Sequence, residues 1–181
     1  MIYTVECSFV EPSREDEWNE FYSDRKLAAL ISVTGFHTSQ RFKAISGGCP
    51  VYLAVHTIDG VEVLGGDEYR VKGGGNFARW QPDITDWHRT LYDGLDRAPD
   101  IVSGEVLVLS STGPGALEQL GLEPRVMNAV ALENTPAQRW LSTAATKNFP
   151  LLTELPQGVY AYKPITVQLQ QAPSLKIAAE R

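Results

Sequence analysis

Apolar and polar residues alternate at the start of the chain. Over residues 2–10, IYTVECSFV, the side chains of Tyr3, Val5, Cys7 and Phe9 fall on one face and those of Ile2, Thr4, Glu6 and Ser8 on the other. Period two over that length predicts a strand with one apolar face. Pro12 and Ser13 stop it, with Ser13 as the expected N-cap of a helix and Glu15, Asp16 and Glu17 in its first turn, where carboxylates suit the positive end. That helix carries two apolar stripes out of phase. At 100° per residue Trp18, Phe21, Tyr22, Arg25 and Ala29 share one face, and Leu27, Leu30 and Ile31 lie nearly opposite. One straight helix cannot bury both, so a break or bend is expected at residues 24–26, with Arg25 pointing the same way as Trp18 and Tyr22. Gly35 ends the helix at a position suited to positive φ. Residues 37–45 and 51–58 read as two further strands joined through Gly47, Gly48, Cys49 and Pro50.

Beyond residue 60 the pattern weakens. Residues 60–72 are mixed, and GGGN at 73–76 lacks the context of a phosphate loop, which leaves a surface or lid loop. Residues 81–95, QPDITDWHRTLYDGL, place Ile84, Trp87, His88, Leu91 and Leu95 at helical spacing, with Pro82 and Asp83 suited to a start and Gly94 to an end. A second helix is therefore expected, with His88 on its buried face. Residues 104–111 read as a strand that completes a first βαββαβ unit. A turn (112–115) and a short helix (116–121) follow. The pattern then restarts: a strand at 126–133, Thr135 five residues before Trp140 as Ser13 stands before Trp18, and Gly158-Val159 opening a strand over 159–169. This reads as a degenerate, partial second copy. The expected division is 1–112, 113–170 and a frayed tail over 171–181.

Composition narrows the function classes. The 181 residues suit one domain or two small fused units. A formal charge of −6, from 16 basic and 22 acidic residues without a basic cluster, argues against nucleic acid and anionic membrane. The start MIYTVEC has no signal-peptide pattern, and no apolar run is long enough to span a bilayer. The two cysteines, Cys7 and Cys49, form no C-x-x-C, so a cytoplasmic location is expected.

Several of these residues carry a resemblance. The N-terminal strand, Trp18-Asn19 with Phe21-Tyr22, Leu27 and Leu30, Gly35-Phe36, Gln40-Arg41-Phe42 and Tyr52-Leu53-Ala54-Val55 together resemble the EthD-like and antibiotic-biosynthesis-monooxygenase group of dimeric α+β barrels. The resemblance covers about the first third of the chain. It implies an α+β fold: a ferredoxin-like βαββαβ sheet, two of which close a barrel, here by homodimerisation because the second copy looks too short to close one alone. Members often hold a histidine about four residues after the aromatic pair, thought to be the acid–base group. Lys26 occupies that place here.

The chemistry is less marked. The histidines His37, His56 and His88 form no zinc-binding spacing, and no nucleotide fingerprint or G-x-S-x-G elbow is present, so neither metal nor cofactor is expected. His56 falls in phase with Tyr52, Ala54 and Ile58, where it is either bonded in the core or lines a cavity. His88 is either a core histidine or an acid–base group beside Trp87. Arg25 either is freed by the bend, pairs with an acid such as Glu6, or awaits an anionic ligand group. The candidate catalytic residues are His88, His56 and Tyr22, with Arg25, Lys26, Trp18, Phe36, His37 and Trp87 around a small hydrophobic ligand. Three readings follow: a cofactor-independent lyase, isomerase, cyclase or oxygenase acting on a small hydrophobic carbonyl, lactone or polyketide-like compound by histidine-mediated proton transfer; a non-catalytic ligand-binding or assembly protein; or a haem-binding enzyme.

Overall fold

A computed structural model describes residues 1–74, 78–149 and 155–172. Eight antiparallel strands close a barrel. In chain order they are β1 (Ile2–Phe9), β2 (Phe36–Ala44), β3 (Tyr52–Ile58), β4 (Ile84–Asp93), β5 (Glu105–Ser110), β6 (Arg125–Leu132), β7 (Gln138–Ala145) and β8 (Val159–Pro164). Around the barrel the order is β3-β1-β4-β6-β7-β5-β8-β2, and β2 pairs with β3 to close the ring. A two-residue strand, β9 (Leu169–Gln170), continues β8 along the free part of β2. The pairing β2-β3-β1-β4 is repeated as β6-β7-β5-β8, and the seams are β4–β6 and β8–β2.

Alternate faces of the strands build separate cores. Ile2, Phe42, Leu53, Tyr92, Leu107, Met127, Leu141 and Tyr162 are buried in one cluster. Since each comes from a different strand of the eight, this cluster is the barrel interior. The outer face of β1, β3 and β4 carries Tyr3, Val5, Tyr52, Ala54 and Leu91, which pack against Trp18, Tyr22, Leu27 and Leu30 of the helical layer. A third, aliphatic cluster joins Val106, Val108 and Val159 to Leu117 of a four-residue helix, α5 (Gly115–Glu118).

The bend expected at residues 24–26 is a π-helical stretch. Helix α1 (Glu15–Glu20) runs into π-helix Phe21–Lys26 and then α2 (Leu27–Ile31). The amide of Leu27 donates to the carbonyl of Tyr22, five residues back. One extra residue in that turn shifts the phase by one position, so Trp18, Tyr22, Leu27 and Leu30 are all buried together. The same shift turns Lys26 inward and leaves Arg25 exposed, against the sequence expectation for Arg25. Gly35 has the positive φ expected of it, +91°, but not as a helix end: α2 closes at the C-cap Ser32, and Gly35 is the third residue of the Val33–Phe36 turn that leads into β2. Ser13 is not the N-cap: Glu11 caps a 3-10 turn, Pro12–Arg14, and accepts bonds from the Ser13 amide and hydroxyl.

The second expected helix is a strand. Residues 81–83 form a 3-10 turn, and Ile84–Asp93 is β4, paired with β1 on one side and β6 on the other. Both faces of its second half are covered, so Leu91 and Tyr92 are buried side by side and period two disappears from the sequence. A bulge at Asp86, φ +50°, breaks the alternation further. It follows that β4 is the strand next to β1, and that β5 does not complete the first unit: it pairs with β7 and β8. The segment from Thr135 to Trp140 leads into β7, not into a helix. Two short helices, α3 (Val61–Gly65) and α4 (Asp67–Tyr69), and a π-helical stretch, Arg70–Gly74, cover the sheet after β3. Part of the GGGN run and the tail from Pro173 lie outside the described residues. Among the described residues no helix is long and apolar enough to cross a membrane.

Candidate active site between the helical layer and the sheet

The register of β1 against β4 sets Tyr3 beside Leu91 and Val5 beside Arg89 on the outer sheet face. Above them, the π-helical stretch lowers Tyr22 and Lys26 onto the sheet, and the segment after β3 contributes Tyr69 and Gly73. These residues, with Leu30, Trp87 and Arg89, line a pocket of about 60 Å³. Gly73 is required by closeness: a Cβ there would stand 2.8 Å from Leu30 Cδ2 and 2.9 Å from Tyr69 Cδ2.

Two cations and three phenols meet here, and among the described residues no carboxylate lines the pocket. Lys26 is 2 % exposed, and burial pushes its ammonium down to about 8, so it exchanges a proton near neutrality. Burial pulls Arg89 down too, but the neighbouring Tyr3 and Tyr69 outweigh it and the guanidinium is held above its ordinary value. The hydroxyls of Tyr3 and Tyr69 lie 3.4 Å apart. Burial, and then the neighbouring Tyr69, raises Tyr3 well above the usual phenol range. Burial likewise raises Tyr22. Both phenols are therefore neutral hydrogen-bonding groups at physiological pH.

Of the residues singled out from sequence, Tyr22, Lys26 and Trp87 come together at this pocket. Trp18 and Phe36 do not line it. Trp18 stacks on Phe9 with ring centres 4.9 Å apart, and Phe36 stands edge-on to His56. His56 is fully buried beneath the site. Its Nδ1 is 2.8 Å from Ser39 Oγ, its ring stacks on Tyr3, and burial together with Lys26 pushes it down to about 3. A histidine so placed stays neutral and moves no proton at pH 7. His37 is on the surface, 2.5 Å from Asp59. Arg25 is exposed and does not meet Glu6.

His88 is not on a buried helical face either. It lies half-exposed on β4, 2.8 Å from Glu133, at the rim of a second cavity of about 550 Å³. That cavity is one mouth of the barrel. Its floor is a buried pair, Glu6 with Arg139, bonded twice at 2.9 and 3.0 Å. The other end of the barrel is plugged by the β4–β5 connection, where Gln40 Nε2 donates to the Ile101 carbonyl and the Ala98 amide donates to Thr57 Oγ1. Among the described residues no three His, Cys, Asp or Glu side chains gather as metal ligands.

Sequence reasoning missed Tyr69, Arg89 and Arg139 as site residues. Reading 81–95 as a helix hid Arg89, because it scrambled which residues face the first strand. Tyr3 was legible on its apolar strand face but carried no chemical signal. Nothing in the sequence pairs Glu6 with Arg139, 133 positions away.

The sequence matches no known family model and no curated protein. The fold has counterparts among solved structures. An anthrone oxidase-like protein superposes with a TM-score of 0.55 at 10 % identity, over 99 % of this chain and 96 % of its own. A Fusobacterium nucleatum protein provisionally assigned as a monooxygenase gives 0.60 at 8 % identity, over 94 % of both chains. A Lactobacillus acidophilus protein with the same provisional assignment gives 0.54 at 7 %, over 94 % of this chain and 96 % of its own. At such identities the likeness is one of fold.

Proposed function

We propose that the pocket between helical layer and sheet is the active site of an oxygenase-type enzyme acting on small, flat, enolisable carbonyl or phenolic compounds. Lys26 moves the proton and Arg89 holds the anion. The observation that carries this reading is a buried lysine, pushed to about 8, sharing a pocket with a second cation and no lining carboxylate. A neutral amine takes a proton from an acidic C–H, and the ammonium so formed, with the guanidinium, stabilises the enolate in a water-poor site. The names of the similar structures point the same way. With dioxygen as co-substrate the enolate carbon bonds to oxygen, the peroxide takes up the proton, and loss of water leaves a carbonyl. Because the pocket holds only about 60 Å³, a ring system enters only as the covering segment from Asp67 to Gly74 gives way. Lys26 thus stands in for the histidine of the resembled group, and His56 and His88 carry no proton transfer in this reading.

Anthrone is the first substrate to test. One dioxygen should be consumed per anthrone, giving anthraquinone and water. Lys26→Met should cut turnover by roughly 10²–10⁴-fold, as for a lost general base. The rate should rise with pH and level off above about 8, where the amine is neutral. The folded lysine binds its proton less tightly than an unfolded one (~10.4), so stability climbs with pH between the two values. Lys26→Met should therefore leave the protein as stable or more stable at pH 7. Full activity in that variant would refute the assignment.

We further infer that residues 1–93 and 105–164 stand in for the two subunits of a dimeric barrel, the boundary lying earlier than the sequence reading put it. Support comes from the repeated strand pairing and from seams already satisfied within one chain. A homodimer is then not needed to close the barrel. The barrel mouth favours one second reading, a small-ligand-binding protein, because at about 550 Å³ it is far roomier than the pocket at Lys26.

A further inference from the structure

Arg41 is a buried cation that this mechanism does not use and that has no ion-pair partner among the described residues. It projects from β2 into the helical layer and is 1 % exposed. Among the described residues its bonds go to one turn of helix. Nη1 donates to the Asn19 carbonyl at 3.2 Å and to Ser23 Oγ at 2.9 Å, and Nη2 donates to Asn19 Oδ1 at 3.0 Å. Three rings enclose the guanidinium, with centres 4.8 Å (Trp18), 4.2 Å (Tyr22) and 5.2 Å (Tyr52) away. Among the described residues no carboxylate pairs with it. A desolvated guanidinium held only by a carbonyl, an amide oxygen, a hydroxyl and ring faces is costly to bury, and its rigid fork ties the groups it bonds to one geometry.

The place it grips is informative. Asn19 and Ser23 straddle the junction of α1 and the π-helical stretch. Buried Tyr22 and buried Leu27 are five positions apart, so one extra residue must be absorbed somewhere between them or just beyond. Where it is absorbed decides which side chain faces the pocket. Absorbed before Lys26, as here, it turns Lys26 inward. Absorbed later, it leaves the uninterrupted phase, in which Arg25 takes the inward position and Lys26 is rotated about 100° away. A side chain inserted against the helical ladder is a known cause of such irregularities.

We propose that Arg41 is a positioning residue that fixes the π-helical stretch ahead of Lys26, so that Lys26 and not Arg25 enters the pocket. Its importance for turnover rests on the reading of Lys26 given above, but the positional claim is tested without substrate.

The experiment follows the Lys26 side chain by NMR, reading its Cε shift against pH in three folded proteins. In the parent chain Lys26 should titrate at about 8. In Arg41→Met, which fills the ring cage with an apolar chain but removes every donor, it should move toward ~10.4, the value of a solvated lysine. Deleting exposed Asp24 in the Arg41→Met background removes the residue that has to be absorbed. The Leu27–Tyr22 bond becomes an ordinary α-helical one, and the titration should return to about 8. If Arg41→Met alone does not fold but the double variant does, with Lys26 again depressed, the proposal stands. A folded Arg41→Met that keeps Lys26 at its parent value overturns it, as does a double variant that fails to fold or to restore the shift. Those results would make Arg41 a packing residue only, whatever Lys26 does in turnover.

Discussion

The two halves of the barrel share one strand pairing and differ in what covers it. The first half lays a helical run from Glu15 to Ile31 on its sheet. Beneath and beside it are buried Lys26, Arg41 and His56, with Glu6 on the inner face of the same sheet. Among the described residues the second half has its outer face covered by α5, whose Leu117 packs on Val106, Val108 and Val159. Its one buried charged side chain among the described residues, Arg139, is bound to Glu6 of the first half. Burying polar groups costs stability unless each is satisfied, so their concentration in one half is not what a repeated scaffold needs for folding. On the function proposed above, the first half holds the chemistry and the second completes the ring, so the halves should respond differently to the same kind of damage.

The largest effect is expected where the halves meet. Arg139→Leu removes one partner of a buried ion pair and leaves the Glu6 carboxylate desolvated and alone, at a cost of about 3–5 kcal/mol. Glu6→Leu with Arg139→Leu should recover most of that loss, since replacing both partners by apolar groups is close to neutral. Denaturant melts of the two variants measure the difference. If the double variant is no more stable than the single, the pair is not the link between the halves.

Within the second half the expected pattern is stability without chemistry. Leu117 is fully buried against Val106, Val108 and Val159. Leu117→Ala should cost about 2–5 kcal/mol, for lost burial and the cavity left behind. Turnover at temperatures where the variant stays folded should match the parent. A loss of turnover there would mean that the second half shapes the site, and the contrast between the halves would fail.

The contrast also explains what the sequence revealed. β1 was readable although both its faces are buried, because its outer face is apolar (Tyr3, Val5, Cys7) while its inner face carries Thr4 and Glu6, so period two survives. The stripes of the first helix were readable because the helix buries one face. Even the irregularity near Lys26 was legible, as two stripes that no straight helix can bury. The phase on either side of it was not, since a π-helical stretch and a kink both reconcile the stripes while exposing different residues. That ambiguity is why Arg25 was expected on the face of Trp18 and Tyr22, with release by the bend as one alternative, while Lys26 was placed at the ligand through the family resemblance and not through the helical phase. β4 was misread because Leu91 and Tyr92 put apolar side chains on both its faces and a bulge at Asp86 breaks the alternation in its first half, so Ile84, Trp87, His88 and Leu91 fell by chance at helical spacing. With β4 misread, β5 was assigned to the first unit although it pairs with β7 and β8, and Arg89 and His88 were placed on the wrong element. Long-range partners such as Glu6 and Arg139 have no local signature at all.

The smallest effect is expected at His88, the residue with the strongest chemical look in the sequence. It is 54 % exposed and its partner Glu133 is 40 % exposed. Exposed pairs contribute about 0–1 kcal/mol. The bond from His88 lowers Glu133 below the ordinary carboxylate range. A carboxylate so lowered stabilises the fold above its unfolded value and loses that contribution as pH falls through the folded one. His88→Gln should therefore shift stability by less than about 1 kcal/mol, and that difference should vanish in acid. Its turnover should equal the parent's, because His88 faces the barrel mouth and Lys26 the opposite side of the sheet. A fall of roughly 10²–10⁴-fold, the size of a lost general acid or base, would move the chemistry from the helical layer to the barrel mouth. The Glu6–Arg139 floor and the His88–Glu133 rim would then be the site, and Lys26→Met should in that case leave turnover intact.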